Sequence, residues 1–144
     1  MTWCSVIVVS ASPTLTCMEP VIRSLDDLDW AGWPADQIAE RGAVTWKALQ
    51  GANGDHDTHM TLGVARVLKG ESLEAHRHVQ PETYYVLRGS GVVTIEHKEH
   101  EVSVDTMVFI PGDALHRIDN YSDEELRILY LFNEPDFSKV IYRF

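Results

Sequence analysis

Cysteine is nearly absent from this sequence: Cys4 and Cys17 are the only two, and both lie in the first 17 residues. The rest of the chain therefore has neither a disulfide framework nor a thiolate metal site, which suits a reducing cytoplasm and leaves nitrogen and oxygen as the only metal donors. Basic residues are also scarce, 12 Lys and Arg against 22 Asp and Glu for a net charge of −10. No segment gathers them into a stripe, so a surface for nucleic-acid phosphates is not expected, and the acidity disfavours anionic membranes. No apolar run approaches the length of a membrane span. The expected setting is cytoplasmic, with neither nucleic acid nor membrane as partner.

Charge is missing altogether before Glu19. The run Val6-Ile7-Val8-Val9 is shorter than the apolar region of a secretion signal, and no Lys or Arg precedes it. Residues 1–18 are read as a leader outside the fold, either disordered or translated upstream of a native start at Met18. The 144 residues, 44% hydrophobic and 24% charged, suffice for one domain with a real core. That domain is placed at 19–144.

Only one helix is expected, Pro34 to Gly42, with proline in its first turn and glycine at its end. Short apolar runs follow: Val44 to Leu49, Thr58 to Leu68, Thr83 to Leu87, Val92 to Glu96, Glu101 to Val104, Met107 to Ile110, His116 to Asp119 and Leu126 to Phe132. Between them stand turn formers such as Lys69-Gly70, Arg88-Gly-Ser-Gly91 and Pro111-Gly-Asp113. This spacing predicts an all-β sandwich or barrel.

Three of the seven histidines, His76, His78 and His116, fall in two short segments and carry the chemistry. In the segment from Gly70 to Gly89, His76, His78, Glu82 and Tyr84 are all at even positions, and alternate residues of a strand share a face. Two imidazoles, a carboxylate and a phenol could then project into one space, provided Pro81 adds no bulge. His116 lies on another expected strand. Three neutral nitrogens and one anionic oxygen suit a divalent transition metal such as Fe, Mn, Ni, Co or Zn.

These segments resemble the two motifs of the cupin superfamily. The first motif reads Gly, five residues, His-x-His, three or four residues, Glu, six residues, Gly, and Gly70, His76, His78, Glu82 and Gly89 match it throughout. In the second, Pro111, His116 and Asn120 match, while Asp105 and Asp113 stand where the family has glycine. Aspartate tolerates the left-handed backbone better than most residues, so the turns should survive. The resemblance covers about residues 44–132. It implies a single-domain antiparallel β-barrel (a jelly roll, or double-stranded β-helix) with a short N-terminal helix. It also implies one divalent metal ion held by His76, His78, Glu82 and His116, and a homodimer.

Tyr84, two positions beyond Glu82, is the candidate catalytic base. A free phenol titrates near ~10, so acting near pH 7 requires a depression of about three units, roughly 4 kcal/mol, which a nearby cation could supply. Otherwise Tyr84 simply lines the barrel. Tyr85 should face the other way and pack. His97 and His100 are expected at the surface around a Lys98-Glu99 turn, His56 and His59 in a polar loop, and Trp30, Trp33 and Trp46 in core or dimer contacts. Arg66, Arg77, Arg88, Arg117 and Arg127 are candidates for gripping a substrate carboxylate.

The expected activity is that of a metal-dependent enzyme on a small organic substrate. One form is an elimination with Tyr84 as base, since the His-x-His, Glu and Glu-x-Tyr pattern is similar to that of cupin lyases that cleave dimethylsulfoniopropionate to dimethyl sulfide and acrylate. Alternatives are oxygenation at ferrous iron, or a non-catalytic cupin that binds a sugar or metabolite around a structural metal.

Overall fold

The computed structural model describes residues 20–52 and 59–144, so the leader expected at 1–18 and the loop histidine His56 lie outside the described residues. Ten strands follow in chain order: β1 (Ala31–Gly32), β2 (Thr45–Gln50), β3 (Thr61–Val67), β4 (Ser72–His76), β5 (Glu82–Arg88), β6 (Ser90–Ile95), β7 (Lys98–Ser103), β8 (Met107–Ile110), β9 (His116–Asp119) and β10 (Leu126–Phe132). They form two antiparallel sheets, one in the order β1-β2-β3-β10-β5-β8 and the other β4-β9-β6-β7. The all-β barrel expected from the spacing of apolar runs is thus built as two sheets enclosing one core.

Inward residues come from strict alternation where it is available. In β10, Leu126, Ile128, Tyr130 and Phe132 are buried while their odd-numbered neighbours are only partly so. Ile128, Val86, Val67, Ile118, Val93 and Ile110 meet between the sheets, and burying each such side chain contributes about 1.5–3 kcal/mol.

The helix is shorter than proline and glycine suggested. Ala35–Gln37 form a 3₁₀ turn, only Ile38–Arg41 (α1) are α-helical, and Gly42 closes it at φ +87° with its N–H donating to the Ile38 carbonyl at 2.8 Å. Strand β4 escaped the apolar-run reading because Ser72-Leu-Glu-Ala-His76 has almost no apolar pattern. Gly89 alone separates β5 from β6, so the chain passes from the large sheet to the small one there rather than through a four-residue turn. The second hairpin turns at Glu96 and His97, whose φ values of 46° and 67° supply the two left-handed residues of a tight turn. His100 therefore lies within β7 opposite Val93 and is half-buried. Asp105 and Asp113 do adopt the left-handed backbone, at φ 68° and 63°.

Candidate metal centre

The site forms where strand ends from both sheets meet. His76 ends β4 and His116 begins β9; the two are cross-strand partners, with ring centroids 4.1 Å apart. Glu82 begins β5 in the opposite sheet, between Phe132 and Ile110. His78 lies in the connection from β4 to β5. All four residues are buried, none more than 3% exposed.

The even spacing of 76, 78, 82 and 84 therefore works for a different reason than one continuous strand. The chain leaves the small sheet after His76 and enters the large one at Glu82, and a bulge in β4 turns both Leu73 and His76 inward despite their odd separation. The connection is held by the second motif: the Asp113 N–H donates to the His78 carbonyl at 2.8 Å. Gly112 must be glycine for close approach, since a Cβ there would stand 2.3 Å from the Val79 carbonyl oxygen.

Each imidazole is oriented by its own backbone. The Nδ1 atoms of His76, His78 and His116 lie 2.7, 2.8 and 2.9 Å from the carbonyls of Glu74, Gln80 and Ala114. A carbonyl only accepts, so each Nδ1 carries the proton and each Nε2 presents a lone pair. Those Nε2 atoms face the carboxylate. His78 Nε2 is 3.2 Å and His116 Nε2 is 3.3 Å from the same Glu82 oxygen, and Nε2 of His76 and of His116 make no hydrogen bond. One ligand atom from each of the four residues lies within 4.8 Å of the others. Acceptors that converge without donors repel one another, and a cation between them removes the conflict. The donor set could therefore hold a metal ion, and the backbone carbonyls already set its tautomers.

Electrostatics agree. Burial, then the neighbouring His116, push the His76 pKa down to about 3. Burial alone would raise the Glu82 carboxyl, but the His116 and His78 imidazoles outweigh it and hold Glu82 below its ordinary value. Near neutral pH His76 is thus an uncharged imidazole and Glu82 an ionised carboxylate, the protonation states a metal requires of them.

A small cavity of about 30 Å³ opens against Glu82 and Tyr84. Its walls include Trp33, Trp46, Tyr130, Phe137 and Tyr142, and neither lysine nor arginine lines it. Tyr84 is buried, and its phenol is held well above its ordinary pKa by burial, then by the charge of Glu82 and by Tyr142. The end of the chain closes this region. Arg143 pairs with Arg77, between the two motif histidines, through backbone hydrogen bonds of 2.9 and 3.0 Å. This sets the Tyr142 ring 5.0 Å from His76 and 5.4 Å from His78.

Several expectations change here. Trp33 and Trp46 line the cavity rather than serving only the core, whereas Trp30 stands apart with Arg66, Lys47 and Arg127 around its ring at 4.1, 4.9 and 5.8 Å. Arg117 pairs with Asp119 and Arg88 with Glu125, so none of the five candidate arginines reaches the cavity. Tyr85 does face away from Tyr84, but it is 38% exposed rather than packed, and its hydroxyl donates to Asp105 at 3.0 Å. His59 is exposed at φ 64°. Tyr130 and Tyr142 were missed, although each carries a signal: Tyr130 is the polar member of the inward set of β10, and Val140, Tyr142 and Phe144 alternate in an apolar tail.

Residues 63–132 match the cupin domain model. The dimethylsulfoniopropionate lyase DddW of Ruegeria pomeroyi is 39% identical over 103 residues, spanning 72% of this chain and 67% of that protein. Among solved structures, a cupin-2 domain from Rhodospirillum rubrum superposes with a TM-score of 0.69 at 20% identity, covering 88% of this chain and 80% of that one. A cupin 2 conserved barrel domain protein from Rhodopseudomonas palustris gives a TM-score of 0.68 at 16% identity, covering 81% and 76%. At such identities these structures speak for the fold alone.

Proposed function

The chain belongs to the cupin family, and on that premise we propose that it is a metal-dependent lyase for a small onium carboxylate of the dimethylsulfoniopropionate type. In this reading His76, His78, Glu82 and His116 are the metal ligands and Tyr84 is the base. The observation that carries it is that Glu82 belongs both to the cluster of converging acceptors and to the cavity wall, directly beside Tyr84. Whatever fills the cavity lies against the metal group and the phenol together.

The wall chemistry supports the substrate class. A cavity faced by aromatic rings, with no basic side chain, favours a sulfonium or ammonium head through cation–π attraction. A divalent ion held by the four ligands would supply positive charge beside the substrate and would counter the effects that raise the Tyr84 pKa. The phenolate of Tyr84 then takes the proton on the carbon next to the carboxylate. The C–H electrons become the carbon–carbon double bond, and the carbon–sulfur bond breaks with its pair leaving on dimethyl sulfide. The burial that raises the Tyr84 pKa also shields its phenol from water, which favours elimination over side reactions.

The test is release of dimethyl sulfide from dimethylsulfoniopropionate by protein loaded separately with Fe, Mn, Ni, Co or Zn, beside the Tyr84→Phe variant. Turnover that disappears in Tyr84→Phe while metal stays near one per chain is expected. Undiminished turnover in the variant would remove the proposed base, and no release with any metal would refute the lyase.

A further inference from the structure

Tyr130 presents a hydroxyl that the fold does not need. Its ring is fixed by packing, stacked on Phe137 at 5.7 Å and tilted against Phe132 at 5.9 Å. It is 4% exposed, it lines the cavity, and its hydroxyl makes no hydrogen bond among the described residues. A phenylalanine would satisfy the same packing without the cost of an unpaired buried polar group. Room has nevertheless been kept for the whole phenol. Gly63 is the cross-strand partner of Tyr130, and a Cβ at 63 would stand 2.3 Å from the phenol oxygen. Trp33, in the same wall, likewise has an indole Nε1–H that is buried and unpaired.

We propose that Tyr130, assisted by Trp33, is a specificity-determining residue that grips the carboxylate of the substrate with uncharged hydrogen-bond donors. This rests on reading the cavity as the substrate pocket. Both groups can donate, so what they lack is an acceptor, and the acceptor of an onium carboxylate is its carboxylate. The arrangement also explains why no arginine lines the cavity. A guanidinium there would hold a carboxylate more strongly, but it would repel the cationic head that the aromatic wall suits. Neutral donors satisfy the anion without that penalty. A buried phenol is well placed for this, because burial and then the charge of Glu82 hold Tyr130 protonated far above neutral pH.

The experiment compares wild type, Tyr130→Phe and Trp33→Phe as metal-loaded protein. Binding of acrylate is measured by calorimetry, KM and kcat with dimethylsulfoniopropionate, and metal content by elemental analysis. Tyr130→Phe should bind acrylate about ten- to a hundred-fold more weakly, the loss of one hydrogen bond to a charged group. Metal content should be unchanged, with KM rising more than kcat falls, and Trp33→Phe should show a smaller loss of the same kind. Acrylate affinity within twofold of wild type in Tyr130→Phe would overturn the grip, as would wild-type protein that binds no acrylate. Failure of the lyase reading looks different: no dimethyl sulfide is released, yet acrylate binds and Tyr130→Phe weakens it, an outcome that supports the grip.

Discussion

Taking the metal-free protein from pH 6.5 to pH 4.5 should cost it about 2 kcal/mol of stability through His76 alone. The imidazole has a pKa of about 3 in the fold against 6.5 when free, depressed first by burial and then by His116. The unfolded chain therefore accepts a proton that the folded one refuses, and stability rises with pH wherever the unfolded state binds more protons. The contribution is complete above pH 6.5 and declines as pH falls toward 3. Each pKa unit is worth about 1.36 kcal/mol, and two units of nearly full difference, less the half-titration at the start, leave about 2 kcal/mol. Stopping at 4.5 keeps most of the Glu82 effect out of the window, because its folded carboxyl is held below its ordinary value and its contribution is lost mainly at lower pH. With urea m-values of about 1–3 kcal/mol/M, the unfolding midpoint should fall by roughly 1 M. The assay is urea unfolding with chelator present, followed by tryptophan fluorescence at several pH values, on wild type and on His76→Leu. A midpoint that holds or rises on acidification, or the same slope in both proteins, would refute the argument.

Metal content should fall well below one per chain in His76→Ala and in His116→Ala, measured after purification without chelator; equal metal in both variants and wild type would sink the ligand assignment. Asn120→Ala should lose about 2–4 kcal/mol in chemical denaturation, because the buried amide donates to the carbonyls of Val67 and Glu124 and accepts from the Ser122 N–H and hydroxyl. On the outer face, Met107 and Phe109 are 60% and 57% exposed on β8, which ends its sheet. They predict pairing with a second copy at this edge, and light scattering should show Phe109→Glu moving toward monomer, whereas an unchanged mass would count against that surface.

How much was legible depended on how local the physics is. The apolar runs marked most strands, and the histidine and glutamate spacing singled out the four residues that come together, because donor chemistry and motif spacing are properties of the chain itself. Aspartate at 105 and 113 could be assigned a left-handed backbone for the same reason. Strand β4 was not legible: its residues have little apolar pattern, and pairing with β9 makes it a strand. The turn at Glu96 and His97 was misplaced by two residues, since its position is set by the register of β6 on β7.

By itself the sequence determined the class of fold and a nitrogen and oxygen donor set, both consequences of residue type and short-range spacing. Only the tertiary structure decided that the donors come from two facing sheets and that Trp33, Tyr130 and Tyr142 wall the cavity beside them. It also decided that no arginine reaches the cavity. Those outcomes depend on a bulge in β4, a sheet change at Gly89 and the pairing of Arg143 with Arg77. Each joins residues far apart in the chain through backbone hydrogen bonds, which residue identity along one segment does not specify.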